Sequence, residues 1–171
     1  MIEIRRAIPS DAIQIALLGR VTYTESHGDY IANKAHLLEF NNQHYSVSKI
    51  REELNDEDVL YWIVFSDELP IGFAKLSLNI EHPIKSEINS CKLQRLYILN
   101  DFIGLKIGSE LQNIILQKAM DLNFKDIWLT AYYKNKKGIR FYEKYGFKEI
   151  GNIDYIVGKS NYPNLIFAKT L

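Results

Sequence analysis

Apolar positions along this chain change period several times, and each change marks a new element. Ile2 and Ile4 alternate with Glu3 and Arg5, the period of two expected of a half-buried strand over residues 1–7. Pro9-Ser10-Asp11 then reads as a helix start, with a capping side chain beside a residue suited to the first turn. Ile13, Leu17 and Val21 recur one helical turn apart and predict an apolar helix face that runs to about Ser26. Two more helices are predicted over 33–45 and 46–54. Residues 59–66 (VLYWIVFS) are rich in branched and aromatic side chains, as strands are. A turn over 67–70 should lead into a partner strand over 71–80.

The second half is simpler. A polar loop over 81–90 precedes a strand over 92–99, and a loop over 100–106 follows it. Ile107, Leu111, Ile114, Ile115, Ala119 and Leu122 trace a helical stripe. A strand over 126–131, a short helix over 136–145, and strands over 147–157 and 164–170 complete the chain. The order predicts a mixed α/β fold in one domain over residues 1–171, without repeats or a linker.

Composition narrows the functional classes. At 47% hydrophobic and 25% charged residues, the chain belongs with globular proteins rather than disordered ones. Acidic and basic residues balance at 21 each, so neither nucleic acid nor an anionic membrane is suggested as a partner. Cys91 is the lone cysteine, without disulfide or metal-ligand spacing, and no metal is expected. No apolar run approaches the roughly 18 residues of a membrane span, and no signal-peptide core is seen at the start. A cytoplasmic protein is expected.

Two segments carry candidate chemistry. Gly104 and Gly108 stand just before a strong helix, where free amides and the helix dipole favour a pyrophosphate. The same glycines would also suit a plain strand-to-helix turn. Further on, Asn135 is followed by Gly138, Phe141-Tyr142 and Tyr145-Gly146-Phe147, with Gly146 suited to a left-handed helix end. Ile139, Tyr142 and Tyr145 share helical spacing, which fits a packed core equally well.

Taken together, these residues resemble the second signature of the GNAT acyl-CoA-dependent N-acetyltransferases, with the glycine loop where that family binds acetyl-CoA. The middle helices and the ending Asn164 to Leu171 are similar to the bacterial polyamine acetyltransferase branch. The resemblance implies a GNAT fold: a twisted, mostly antiparallel sheet of about six or seven strands, splayed at the cofactor site and flanked by helices. It implies acetyl-CoA as cosubstrate, held by Leu96, Tyr97, Ile98, Ile103, Gly104, Leu105, Lys106, Ile107, Gly108, Ser109, Asn135 and Lys137. Ile103 and Lys106 depart from the family pattern, which has a polar residue and a glycine there. Tyr142 is the implied general acid beside the acetyl sulfur.

On the acceptor side the resemblance points to Tyr23, Glu25, His27, Tyr30 and Gln94. Gln94 stands where the polyamine branch carries a glutamate, and an amide cannot take a proton near neutral pH. Glu25, Glu87 and His27 are alternative proton acceptors. The implied reaction is direct transfer to a primary amine such as spermidine or spermine. A protein N-terminus or an amino-acid derivative is the alternative acceptor, and a non-catalytic CoA-binding sensor the alternative role. A homodimer is left open.

Overall fold

The computed structural model describes residues 1–84, 89–157 and 160–171. Seven strands form one sheet in the order β1-β2-β3-β4-β5-β7-β6. They are β1 (Ile2–Arg6), β2 (Val59–Ser66), β3 (Leu69–Ser77), β4 (Ser90–Ile98), β5 (Asp126–Tyr132), β6 (Lys148–Val157) and β7 (Ser160–Thr170). Every pairing is antiparallel except β4 with β5. Helices α1 (Ala12–His27), α2 (Lys34–His44) and α3 (Val47–Leu54) precede β2, while α4 (Ile107–Asp121) and α5 (Lys136–Lys144) flank β5.

Local chemistry sets the helix ends. Asn33 accepts the Ala35 amide at 3.0 Å, and Ser46 the Lys49 amide at 3.3 Å, so both side chains relieve free donors at helix starts. Gly146 closes α5 with φ +82°, the left-handed geometry expected of it. Asp11 ends a short 3-10 turn before α1, and its carboxylate takes both Arg5 guanidinium nitrogens at 2.8 and 2.9 Å. That bidentate bond is the main reason the Asp11 pKa lies below the ordinary carboxylate value.

The sheet has an apolar core on each face. On one side α4 lays Leu111, Ile115 and Ala119 over Ile127, Leu129 and Phe167. On the other, α1 and α3 bring Ile15 and Ile50 against Ile63 and Phe73, with Tyr45 alongside. Burying each such aliphatic side chain stabilises the fold by about 1.5–3 kcal/mol.

Three expectations are corrected. Ile13, Leu17 and Val21 face solvent; α1 buries Ala12, Ile15, Ala16, Leu18, Gly19 and Thr22. The helix forms as predicted but turns a different face inward, because its small residues let neighbouring side chains pack closely against it. A Cβ on Gly19 would stand 2.1 Å from the Tyr45 ring. The β2–β3 turn is only Asp67-Glu68, since Leu69 and Pro70 already pair with Ser66 and Phe65. Finally, β7 begins at Ser160 rather than residue 164, making a longer hairpin with β6.

Candidate active site

The site begins with a strand pair that comes apart. β4 and β5 pair only over Ser90, Cys91 and Lys92 against Asp126, Ile127 and Trp128. Beyond Lys92 the two strands separate around a cleft of about 920 Å³. Its floor therefore presents the β4 backbone from Leu93 to Ile98 without a partner strand on that side. β4 also carries a bulge: Lys75 faces Arg95 and Leu76 faces Leu93, so Gln94 is the extra residue. A bulge shifts the alternation of side chains between faces. Cys91, Leu93, Leu96 and Ile98 consequently belong to the α4 side, whereas Arg95 and Tyr97 turn toward α1 and α2.

One end of the cleft is an amide cradle. Gly104 adopts φ +96° and Lys106 φ +64°, a pair of left-handed turns directly before α4. Among the described residues, the backbone amides of Gly104, Leu105, Lys106, Ile107 and Gly108 donate to no backbone carbonyl. Such a cluster at the start of a 15-residue helix suits a phosphate. Lys106 occupies a conformation that glycine adopts freely and other residues adopt at a cost of about 1–2 kcal/mol.

Gly108 meets only ordinary contacts. An added Cβ would lie 3.8 Å from Leu96 and Phe141. Packing does not require this glycine; an unobstructed cleft wall does. Gly108→Ala should keep its melting temperature and raise the KM for a phosphate-bearing cosubstrate about tenfold, a loss of about 1.4 kcal/mol. Steady-state kinetics beside a thermal melt checks both halves.

Ile103, Gly104, Lys106, Ile107, Gly108 and Ser109 line the cleft, and so do Leu96, Tyr97, Ile98, Asn135 and Lys137. Leu105 does not; it points to solvent at 62% exposure. Asn135 lines the cleft as expected but has a second task. Its Oδ1 accepts the Gly138 amide at 3.0 Å and caps α5, leaving its NH₂ group for a ligand. Lys134 lies over the Tyr133 ring and Arg140 donates to the Lys136 carbonyl, so neither lines the cleft.

Tyr142 lies on the cleft wall with its ring wedged edge-on against Phe141 and Phe147. Its hydroxyl has no hydrogen-bond partner among the described residues. Burial pushes its pKa up to about 12, so it holds its proton throughout the neutral range. Cys91 is fully buried away from the cleft, and burial pushes its thiol up to about 12, which removes it as a nucleophile.

The other end of the cleft is walled by α1, α2 and the β6–β7 hairpin. Tyr23, Glu25, His27, Tyr30 and Gln94 all line it. Tyr23 stacks between His27 at 4.4 Å and Phe40 at 4.0 Å. Burial, reinforced by the Arg95 charge, pushes the His27 pKa down to about 4, so the imidazole is neutral at pH 7. The Glu25 carboxylate accepts the Asn100 amide at 3.1 Å, and the Gln94 amide oxygen accepts the Ser77 hydroxyl at 2.9 Å. Glu87 lies outside the described residues.

Sequence reasoning missed several lining residues. Lys92 and Arg95 sit on β4 itself, and only the bulge tells which face they take. His44 and Phe40 come from α2. Tyr155, Tyr162 and Asn164 arrive from the hairpin; the Tyr162 hydroxyl lies 3.4 Å from Nδ1 of His36, a residue near the start of α2 that the sequence does assign to acceptor recognition. No periodic pattern marks a hairpin residue as facing a helix so distant in sequence.

The model of the acetyltransferase (GNAT) family matches residues 25–147. An uncharacterized N-acetyltransferase of Mycobacterium tuberculosis is 24% identical over 162 residues, covering 95% of this chain and 99% of that protein. The uncharacterized N-acetyltransferase YjgM of Escherichia coli is 28% identical over 99 residues, covering 57% and 54%. Among solved structures, the PaiA N-acetyltransferase of Thermoplasma acidophilum in complex with coenzyme A superposes with a TM-score of 0.82. It is 23% identical and covers 100% of this chain and 99% of its own. NAA60 of Arabidopsis thaliana, solved with a bisubstrate analogue, gives a TM-score of 0.74 at 17% identity, covering 99% and 98%.

Proposed function

Because this chain belongs to the acetyltransferase (GNAT) family, we propose that it moves an acetyl group directly from acetyl-CoA to a small primary amine. One observation supports this above the others. The open amides before α4, the unpaired edge of β4 and the Tyr142 phenol all border the same cleft.

Acetyl-CoA supplies the thioester acyl group and a thiolate leaving group. The amides of residues 104–108, with Lys106 and Lys137 nearby, hold its phosphates. Asn135 uses its free NH₂ on the pantetheine arm. A β4 amide within Leu96 to Ile98 donates to the carbonyl oxygen as charge grows there. Tyr142 gives its proton to the departing sulfur, whose thiol has an ordinary pKa of about 8.5. The acceptor must arrive as the free amine: His27 on the acceptor wall, with a pKa of about 4, does not retain a proton at pH 7.

The polyamine reading, with spermidine or spermine as acceptor, is supported by the aromatic face of Tyr30 and by the Glu25 carboxylate. The Lys92 and Arg95 charges in the cleft favour the amino-acid alternative. Released thiol, measured over a panel of amines, tests the reading. Amine-dependent release is expected. Calorimetric binding of acetyl-CoA without turnover on any amine would instead leave a cofactor-binding sensor.

A further inference from the structure

Among the described residues that line the cleft, Glu25 is the only carboxylate. It stands at the end of α1 and already accepts the Asn100 amide. The floor is different. Lys92 and Arg95 both line it, and neither has a carboxylate within 4 Å among the described residues. Arg95 is held from behind by aromatic faces, Phe40 at 6.0 Å and Tyr45 at 5.7 Å, and gives one nitrogen to the Gln94 carbonyl at 2.9 Å. Lys92 rests on Trp128 at 4.5 Å. The nearby acid Glu53 is already taken by Lys75 at 2.9 Å and by the Tyr61 hydroxyl. Gln94, between the two cations, is a neutral amide already accepting from Ser77.

A guanidinium pre-shaped by rings and lacking a protein carboxylate is suited to a ligand anion, which it can bind in a fork. A cationic ligand group brought beside Arg95 and Lys92 would be repelled by both. We propose that the acceptor is a short amine bearing an anionic group, carboxylate or phosphate, which Arg95 binds with Lys92 in support. Arg95 precedes Leu96–Ile98 by one to three residues, about 3–10 Å along a strand. The anion site and the acyl site thus share one short stretch of β4, which suits a compact acceptor. This inference rests on the acetyl-transfer reading and names its substrate class.

The protonation of Lys92 agrees with the assignment. Burial first, then Arg95 and Lys75, push its pKa down to about 8, so it is largely charged at neutral pH.

The test measures kcat/KM by thiol release for β-alanine, 4-aminobutyrate and 2-aminoethyl phosphate. β-Alaninamide, 1,3-diaminopropane and spermidine form the comparison arm. The best anionic acceptor should exceed its neutral and cationic counterparts at least tenfold, and the carboxylate and phosphate arms tell which anion is read. In Arg95→Met that ratio should fall below about threefold, with most of the change in acceptor KM; Arg95→Lys should restore part of it. Lys92→Gln, at a less buried position, should lower the ratio by several fold and serves where Arg95→Met fails to fold. Faster turnover of diamines or spermidine, or a ratio unmoved by either substitution, would overturn the proposal while leaving acetyl transfer intact. No thiol release with any amine would remove the acetyl-transfer reading and this inference with it.

Discussion

Tyr142→Phe should lower kcat by about 10²-fold or more, the usual worth of a positioned general acid, and should leave the KM for acetyl-CoA within a few fold. The phenol donates to nothing among the described residues, and its ring contacts with Phe141 and Phe147 at 5.3 and 5.8 Å survive the change. Stability should therefore stay within about 0.5 kcal/mol of wild type. With its pKa near 12, Tyr142 does not titrate below pH 10, so no loss of activity is expected from it across that range. Thiol-release kinetics from pH 6 to 9, with a thermal melt of each protein, decides the matter. A fall of less than threefold in kcat would strip Tyr142 of the acid role.

Glu53→Ala has the largest expected effect on stability, about 3–5 kcal/mol, because it strands a buried cation. Glu53 Oε1 lies 2.9 Å from the Lys75 ammonium, and its other oxygen accepts the Tyr61 hydroxyl. The side chains of Lys75 and Glu53 are only 10% and 15% exposed, so water cannot replace the lost partner. For a chain of this size the melting temperature should fall by roughly 10 °C. Burial already holds the Lys75 pKa below its ordinary value, and Glu53 is the main influence raising it. Without Glu53 the folded pKa drops further below the unfolded one. The unfolded chain then binds more protons, so the variant's deficit should shrink as pH rises toward 10. Glu53→Gln keeps an oxygen for the Lys75 ammonium and an NH₂ that can donate to the Tyr61 oxygen, and should lose less. A deficit under 1 kcal/mol in urea titrations at pH 7 would show that the pair contributes little.

How much of this was legible beforehand differs by element. α4 and the glycines before it could be read because the apolar stripe from Ile107 to Ala119 and the glycine positions are local signals. Strand β2 declared itself through composition. The face of α1 could not be read, because Ala12, Ala16 and Gly19 are buried for their smallness while Leu17 is not. Among the site residues, Gly104, Gly108, Asn135 and Tyr142 came through sequence spacing and resemblance. Arg95 and Lys92 did not, since a single inserted residue at Gln94 decides which way they face, and a bulge leaves no trace in the pattern.

The parting of β4 from β5 after Lys92 has a thermodynamic corollary. A sheet seven strands wide with a seam left open lacks hydrogen bonds in its middle. Laid in that seam, the two amides of a pantetheine arm would supply some of them, and the cosubstrate would then serve as a short surrogate strand. Saturation at 100 times Kd should then add about 2.7 kcal/mol to unfolding free energy. Amide hydrogen exchange should slow most between residues 93 and 98, in the middle of the sheet rather than at its rim.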